Sequence, residues 1–251
     1  MLHLNMQGLQ DRAAWAQAGI RLPRYDVAAV RARTWEAPVW LHFGAGNIFR
    51  GFLAAAQQTL LNTGRADTGI LAAESFDFQI IDQVYSPYDA LSLLVRMRAD
   101  GSEEREVIAS VAGGLKADCA GPDWARLTRV FCSPTLQMAS FTITEKGYCH
   151  SPATGQLMLD HPFIVADLQN PHQPKSAPGV IVEALARRKA AGLPAFSVMS
   201  CDNMPENGHV MRNVTCAYAR AVDGELADWI ESHVTFPSTM VDRIVPAVTP
   251  D

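Results

Sequence analysis

The residues whose types and spacing suggest chemistry fall in three short stretches. The first, HFGAGNIFRGFL from His42 to Leu53, is the end of an apolar run followed by Gly44-Ala45-Gly46 and then by what reads as a helix start through Asn47, Ile48, Phe49 and Arg50. Glycines so placed let the backbone approach phosphate oxygens, and the unpaired N–H groups at a helix start favour negative charge. Arg50, in the expected first turn, is placed to pair with phosphate. The usual third glycine of such a loop is replaced by Phe49, so the pattern is GxGxxF. The second stretch, GILAAESFD, puts Glu74 at the end of an apolar run and Asp77 just beyond it. Either acid can accept hydrogen bonds from the ribose hydroxyls of an adenosine, and an acid there favours NAD over NADP. The alternative for at least one of them is a solvated loop residue.

The third group lies further along. TITEKGYCH leaves an apolar run and sets Thr144, Glu145 and Lys146 at what should be the carboxyl edge of a strand, where open α/β sheets bind ligands. SCDNMPENGH occupies the equivalent place after the next run, bringing Asp202 and Asn203 beside the same crevice. An asparagine there can donate a hydrogen bond to a carbonyl oxygen that gains charge during reduction. The structural alternative is that Asp202 or Asn203 caps a helix beginning near Gly208.

Other chemistries find no support. Cys149 and His150 are adjacent, so on an extended chain their side chains diverge and cannot form a nucleophile–base pair. Neither GxSxG nor HExxH occurs. His150, His161 and His172 are scattered through a proline-rich segment and read as surface histidines, so no metal is expected. The five cysteines form no CxxC pair and read as reduced, mostly buried thiols. A net charge of −5 lacks the basic footprint of a nucleic-acid binder or of a protein held on an anionic membrane. No apolar run reaches the roughly 18 residues of a membrane span, and the start MLHLNMQGLQDRAAW lacks the basic lead and apolar centre of a secretory signal, so the cytoplasm is the expected location.

The elements that must carry these residues alternate. Strand-like runs at 39–43, 69–73, 138–144 and 195–201 are short and apolar, as parallel strands covered on both faces should be. Helix candidates lie between them: Ile48–Thr63 ending at Gly64, Asp123–Cys132 after Pro122, and Gly179–Ala191 ending at Gly192. The alternation predicts an α/β fold, a doubly wound Rossmann-type parallel sheet. Runs at 90–97 and 104–111 flank Asp100-Gly101 and read as an antiparallel hairpin inserted in the sheet or appended to it. Residues 151–179, with five prolines, read as a long surface excursion. Residues 1–38 are expected to form an arm of one or two short helices with an extended link, and 39–251 one nucleotide-binding domain.

Four blocks in order, HFGAGNIFRGF, TITEKGYC, SCDNMPENGHV and TFPSTMVDRIVP (235–246), resemble the polyol-specific long-chain dehydrogenases, the mannitol dehydrogenase family. The resemblance runs from about Val39 to the end of the chain. It implies a metal-independent, NAD-dependent oxidoreductase acting on a small sugar or sugar-acid substrate. Matched by position, Asn203 would polarise the reacting carbonyl, Asp242 would stand in the substrate site and Glu145 near the proton route. Residues Gly44 to Arg50, with Thr144 and the acid after the second strand, would hold the cofactor. TEKGYC and PKSAPGVIVEAL are more similar to the branch that interconverts D-fructuronate and D-mannonate than to the branch acting on D-fructose and D-mannitol. The family's KxxxxNxxH segment, whose lysine is the general acid/base, does not occur in these 251 residues. The chain alone is therefore expected to bind cofactor and to turn over negligibly, with a non-catalytic NAD-binding module as the alternative reading.

Overall fold

A computed structural model describes residues 1–241 and 244–246. The first residues form a 3₁₀ turn (Gly8–Gln10), helix α1 (Arg12–Gln17), a two-residue strand β1 (Ile20–Arg21) and helix α2 (Val27–Glu36). Asp11 and Asp26 start the two helices by accepting from the N–H groups of Ala14 and Ala29. The chain then enters strand β2 (Trp40–Phe43), a π-helical turn (Phe49–Leu53) that runs straight into α3 (Ala54–Asn62), and strand β3 (Ile70–Glu74). A second π-helical turn (Ile81–Tyr85) leads to β4 (Ser92–Met97), β5 (Glu103–Ile108) and β6 (Val111–Lys116). After α4 (Trp124–Phe131) come β7 (Met138–Phe141), the short α5 (Thr144–Gly147), α6 (Pro162–Gln169), α7 (Ala177–Ala190), β8 (Ser197–Ser200), α8 (Asn207–Val222) and α9 (Gly224–His233).

The main sheet has five parallel strands in the order β6-β3-β2-β7-β8. Strand order therefore reverses between β2 and β7, and the crevice where α/β sheets bind ligands opens there. Side chains alternate between two cores. Leu41, Phe43, Leu71, Ala73, Ala139 and Phe141 face α4, α7, α8 and α9, while Ile70 and Ala72 face Phe49, Ala54, Ile81 and Tyr85. Burial on both faces is why these strands read as unbroken apolar runs. α7 is started by Ser176, whose hydroxyl accepts from Gly179 N–H, and its run ends at Gly192, φ +65°.

Three expectations need revision. The hairpin β4–β5 exists, but it pairs with β1 in a separate three-stranded sheet, β1-β5-β4, and not with the main sheet. Leu9 and Trp15 of the N-terminal arm pack with Leu91, Val107 and Ala109 beneath it. The run read as 104–111 breaks at Ala109-Ser110, and Val111 opens a further parallel strand, β6, which the sequence conceals behind Gly113-Gly114. Those glycines weaken the strand pattern but admit close neighbours: an added Cβ would lie 2.7 Å from the Trp35 ring at Gly113 and 2.9 Å from Ile81 at Gly114. Residues 151–179 are not simply an excursion, because α6 lies within them and buries Ile164 and Asp167. No helix of the described residues is long and apolar enough to cross a membrane.

Candidate functional site

The glycine turn is made by two glycines with different tasks. Gly44 has φ +98°, and an added Cβ would overlap the carbonyl oxygen of Thr142, so the closeness of β2 to the chain leaving β7 demands glycine there. At Gly46 an added Cβ would meet no atom within 4 Å. That open space belongs to a cavity of about 440 Å³ at the carboxyl ends of the strands, lined among others by Gly44, Gly46, Glu74, Asp77, Thr144 and Lys146.

The turn is fastened from both sides. Along the β2–β7 seam, Trp40 Nε1 donates to Ser140 Oγ (2.6 Å), which meets His42 Nδ1 (2.7 Å), while His42 Nε2 meets Thr142 Oγ1 (2.9 Å), whose hydroxyl donates to Gly44 O (3.0 Å). Because the Thr142 proton goes to Gly44, the neutral imidazole carries its own on Nε2 and accepts from Ser140 at Nδ1. Burial pushes the His42 pKa down to about 3, which keeps the ring neutral. On the other side the buried Glu74 carboxylate accepts from Ala45 N–H (3.0 Å), Ser75 N–H (2.9 Å) and Phe76 N–H (3.0 Å), and Tyr85 Oη donates to Ala45 O (3.0 Å). Asp77 is exposed on the same cavity and its carboxylate takes no hydrogen bond from the described residues.

After β7 the backbone is held by Asp202. Its carboxylate accepts from Ile143 N–H (3.0 Å), Thr144 N–H (3.0 Å) and Tyr148 Oη–H (2.7 Å), and Tyr148 Oη also meets Ser200 Oγ at 2.6 Å. Burial raises the Asp202 pKa above its ordinary value against the pull of these bonds, and burial followed by the Asp202 charge raises that of Tyr148. Thr144 is held at φ +63°, a left-handed conformation costly for a β-branched residue. Neither Asp202 nor Asn203 caps α8, whose first residue follows Glu206, φ +48°, with no side-chain cap. Asn207 instead ties Asp202 O to Thr239, donating to the carbonyls of both and accepting from Thr239 N–H.

Of the residues picked out by sequence, Gly44, Gly46, Glu74, Asp77 and Thr144 come together on one cavity. Ala45 and Phe49 are fully buried and shape the turn from beneath, and Ile48 is partly exposed. Asn47 accepts from Arg50 Nη2, and Asn47 Nδ2 donates to Pro246 O at 3.4 Å. Glu145 and Asn203 stand outside the cavity lining: Glu145 is exposed, its carboxylate 3.9 Å from His150 Nε2, and Asn203 is exposed with no side-chain hydrogen bond to the described residues. Asp242 lies outside the described residues. Phe76, His161 and Phe163 also line the cavity and were not anticipated. The sequence did hold a signal for the last two, since Asp160-His161-Pro162 ahead of an apolar run is a helix start.

These residues fit a dinucleotide diphosphate. Gly46 leaves the volume a side chain would fill, and the buried Arg50 Nε–H finds no acceptor among the described residues. Fold and turn together define a doubly wound nucleotide-binding architecture. Comparison then fixes the family. Residues 39–251 match the mannitol dehydrogenase Rossmann domain, and the chain belongs to the mannitol dehydrogenase family of oxidoreductases. It is similar to the D-mannonate oxidoreductase of Thermotoga maritima, 41% identical over 98% of this chain and 46% of that protein. It is also similar to an uncharacterized oxidoreductase of Escherichia coli, YdfI, 52% identical over 92% of this chain and 46% of that protein. Among solved structures, the Pseudomonas fluorescens mannitol 2-dehydrogenase ternary complex with NAD and D-mannitol superposes with a TM-score of 0.87 at 35% identity, covering 99% of this chain and 48% of the other. The chain thus spans about half the length of the relatives it matches.

Proposed function

We propose that the chain is the NAD-binding part of an oxidoreductase that interconverts a keto-sugar acid and its alcohol, D-fructuronate and D-mannonate. The observation that carries the reading is the open space at Gly46, which shares one cavity with the exposed carboxylate of Asp77. The nicotinamide ring, when bound, supplies or accepts a hydride. Gly46 and Arg50 hold the diphosphate, Asp77 accepts from the ribose hydroxyls and repels the 2′-phosphate of NADP, and Asp202 holds the backbone at Ile143 and Thr144. Asn203 steadies charge that develops on the carbonyl oxygen. Asp242 and Glu145 take the substrate-site and proton-route positions that the family resemblance gives them.

A sugar acid as substrate is supported by the TEKGYC block and by the identity to D-mannonate oxidoreductases of Thermotoga maritima and Escherichia coli, 41% and 42%. The alternative pair, D-fructose and D-mannitol, is supported by the likeness to the mannitol 2-dehydrogenase complex. Calorimetric titration of the chain with NAD tests the cofactor. Gly46→Val should fold and lose affinity, and undiminished affinity overturns the phosphate turn. Turnover is tested by following NADH absorbance with both ketoses. These 251 residues lack the KxxxxNxxH lysine, and a positioned general acid contributes about 10²–10⁴-fold, so negligible reduction is expected. A rate near the median enzyme value of about 10 s⁻¹ would assign the proton to a residue of this chain, Lys146 first.

A further inference from the structure

A cavity of about 530 Å³ opens at the edge of the main sheet opposite the glycine turn. Pro38, which comes just before β2, and Ser133, which comes shortly before β7, both line it, so it lies at the amino ends of the strands. Its volume is that of a small-molecule site. Trp35 and Glu36 close one side from the end of α2, and Arg126 and Arg129 close the other from α4, where a spacing of three residues puts them on one helix face.

Three guanidinium groups converge here with little negative charge to meet them. Arg126 lies over the Trp35 ring, 4.4 Å from its centroid, and pairs among the described residues only with Asp123, at 3.5 Å. Arg129 has no hydrogen-bond or ion-pair partner among the described residues. Arg188 lies beneath them, fully buried, and donates to the carbonyls of Phe131, Ser133, Leu136 and Pro194, while no carboxylate of the described residues pairs with it. A buried cation held by neutral oxygens alone keeps its charge uncompensated. In a low dielectric that charge acts on the cavity wall, which it reaches at Ser133 O, 2.7 Å away.

We propose that this cavity binds a small hydroxylated phosphate monoester, held by Arg126 and Arg129 over the buried charge of Arg188. Such an ester carries about −1.5 to −2 charges at neutral pH, and planar guanidinium forks match its oxygens. The site is built in advance of the ligand. Trp35 Nε1 donates to Ala112 O at 3.2 Å and the ring abuts Gly113, so the platform under Arg126 is fixed. Glu36, the one acid of the lining, repels a bare phosphate ion but accepts from the hydroxyls of an ester. The inference is independent of the dinucleotide reading, whose cavity is at the other ends of the strands.

The probes are glycerol 3-phosphate and inorganic phosphate, titrated by calorimetry into the wild type, Arg129→Gln, Glu36→Gln and Gly46→Val, with NAD titrated in parallel and melting curves as a folding control. The wild type should bind glycerol 3-phosphate saturably and more tightly than phosphate. Loss of one charged fork predicts binding about tenfold weaker in Arg129→Gln, with NAD affinity unchanged. Glu36→Gln should narrow the difference between the two probes, and Gly46→Val should leave both as in the wild type. Amide NMR shifts give a second reading, since glycerol 3-phosphate should move Arg129 and Ser133 and not Gly44 or Gly46. Absence of saturable binding overturns the site, as does wild-type affinity in a folded Arg129→Gln. Binding that is lost in Gly46→Val, with shifts at the glycines, would place the probe in the glycine turn and overturn it too. Equal affinity for the two probes overturns the choice of an ester.

Discussion

The imidazole of His42 lies flat on the ring of Phe49, centroids 4.1 Å apart and planes 8° from parallel. Phe49 occupies the place of the third glycine in the usual phosphate loop, where glycine serves close packing of helix on strand. Here the helix meets the sheet through two stacked rings. The helix widens to a π-helical turn over Phe49–Leu53, and Gly51 within it leaves room for Val245.

Burial of that stack keeps the histidine neutral. Both ring nitrogens of His42 face hydroxyls, Ser140 and Thr142, and burial takes its pKa to about 3. An unfolded histidine protonates near 6.5, so between roughly pH 6.5 and 3 the unfolded chain binds one proton that the folded chain does not. Stability therefore falls as the pH is lowered through that window, by about 1.4 kcal/mol per pH unit from this group. His42→Phe keeps an aromatic ring over Phe49 and removes the titration. Urea unfolding between pH 6 and pH 4 should show a slope of stability on pH lower by about that amount in the variant; equal slopes would mean that His42 titrates normally.

The two glycines of the turn should separate in their effects. A side chain at Gly44 meets the Thr142 carbonyl and a left-handed φ together, so Gly44→Ala should destabilise by about 3 kcal/mol or more. Gly46→Ala meets neither and should melt within about 1 kcal/mol of the wild type. Thermal melts of the two variants check this directly, and equal losses would show that Gly46 too is confined by its surroundings.

The legibility of the sequence followed burial. Strands β2, β3, β7 and β8 showed through because apolar residues face both cores, and the helices because Gly64 and Gly192 mark their ends. β6 did not, since Gly113 and Gly114 were selected by the close approach of Trp35, Ile81 and Tyr85, contacts between residues far apart in the chain. The same holds in the site. Gly44, Gly46 and Thr144 were recognisable from their place at strand ends. Phe76 and Phe163 were not, because their meeting depends on how residues 151–179 fold back over the crevice.

Asp202 should matter for architecture before chemistry. Three donors converge on its carboxylate, and an asparagine would turn an N–H₂ group toward one of them. Asp202→Asn should therefore cost about 2 kcal/mol, in the range of hydrogen bonds to charged groups, and should loosen the backbone at Thr144. Amide hydrogen exchange at Ile143 and Thr144 gives a local readout beside the denaturation midpoint. Unchanged protection there would show that the carboxylate does not hold this turn.

The two acids after β3 should divide stability from cofactor choice. Sequence alone leaves Glu74 and Asp77 as equal candidates for the ribose hydroxyls, because both stand where the second strand ends. The structure distinguishes them by what already occupies their oxygens. Glu74 is buried and accepts three backbone N–H bonds, one of them from Ala45 in the glycine turn itself. Asp77 is exposed on the cavity, and its carboxylate takes no hydrogen bond from the described residues. Glu74→Ser should leave those donors without their acceptor, costing about 3 kcal/mol by the penalty for buried unsatisfied groups, and should weaken NAD and NADP alike through a slackened turn. Asp77→Ser removes a carboxylate that takes no hydrogen bond from the described residues, so stability should change by less than about 0.5 kcal/mol. Its effect should fall on the ratio of affinities, since the charge that repels a 2′-phosphate is gone while the glycine turn is intact. Melting curves and calorimetric titrations with NAD and NADP, run on both variants, separate the two roles. A preference for NAD that survives Asp77→Ser but disappears in a folded Glu74→Ser would reverse the assignment and make the buried acid the ribose partner.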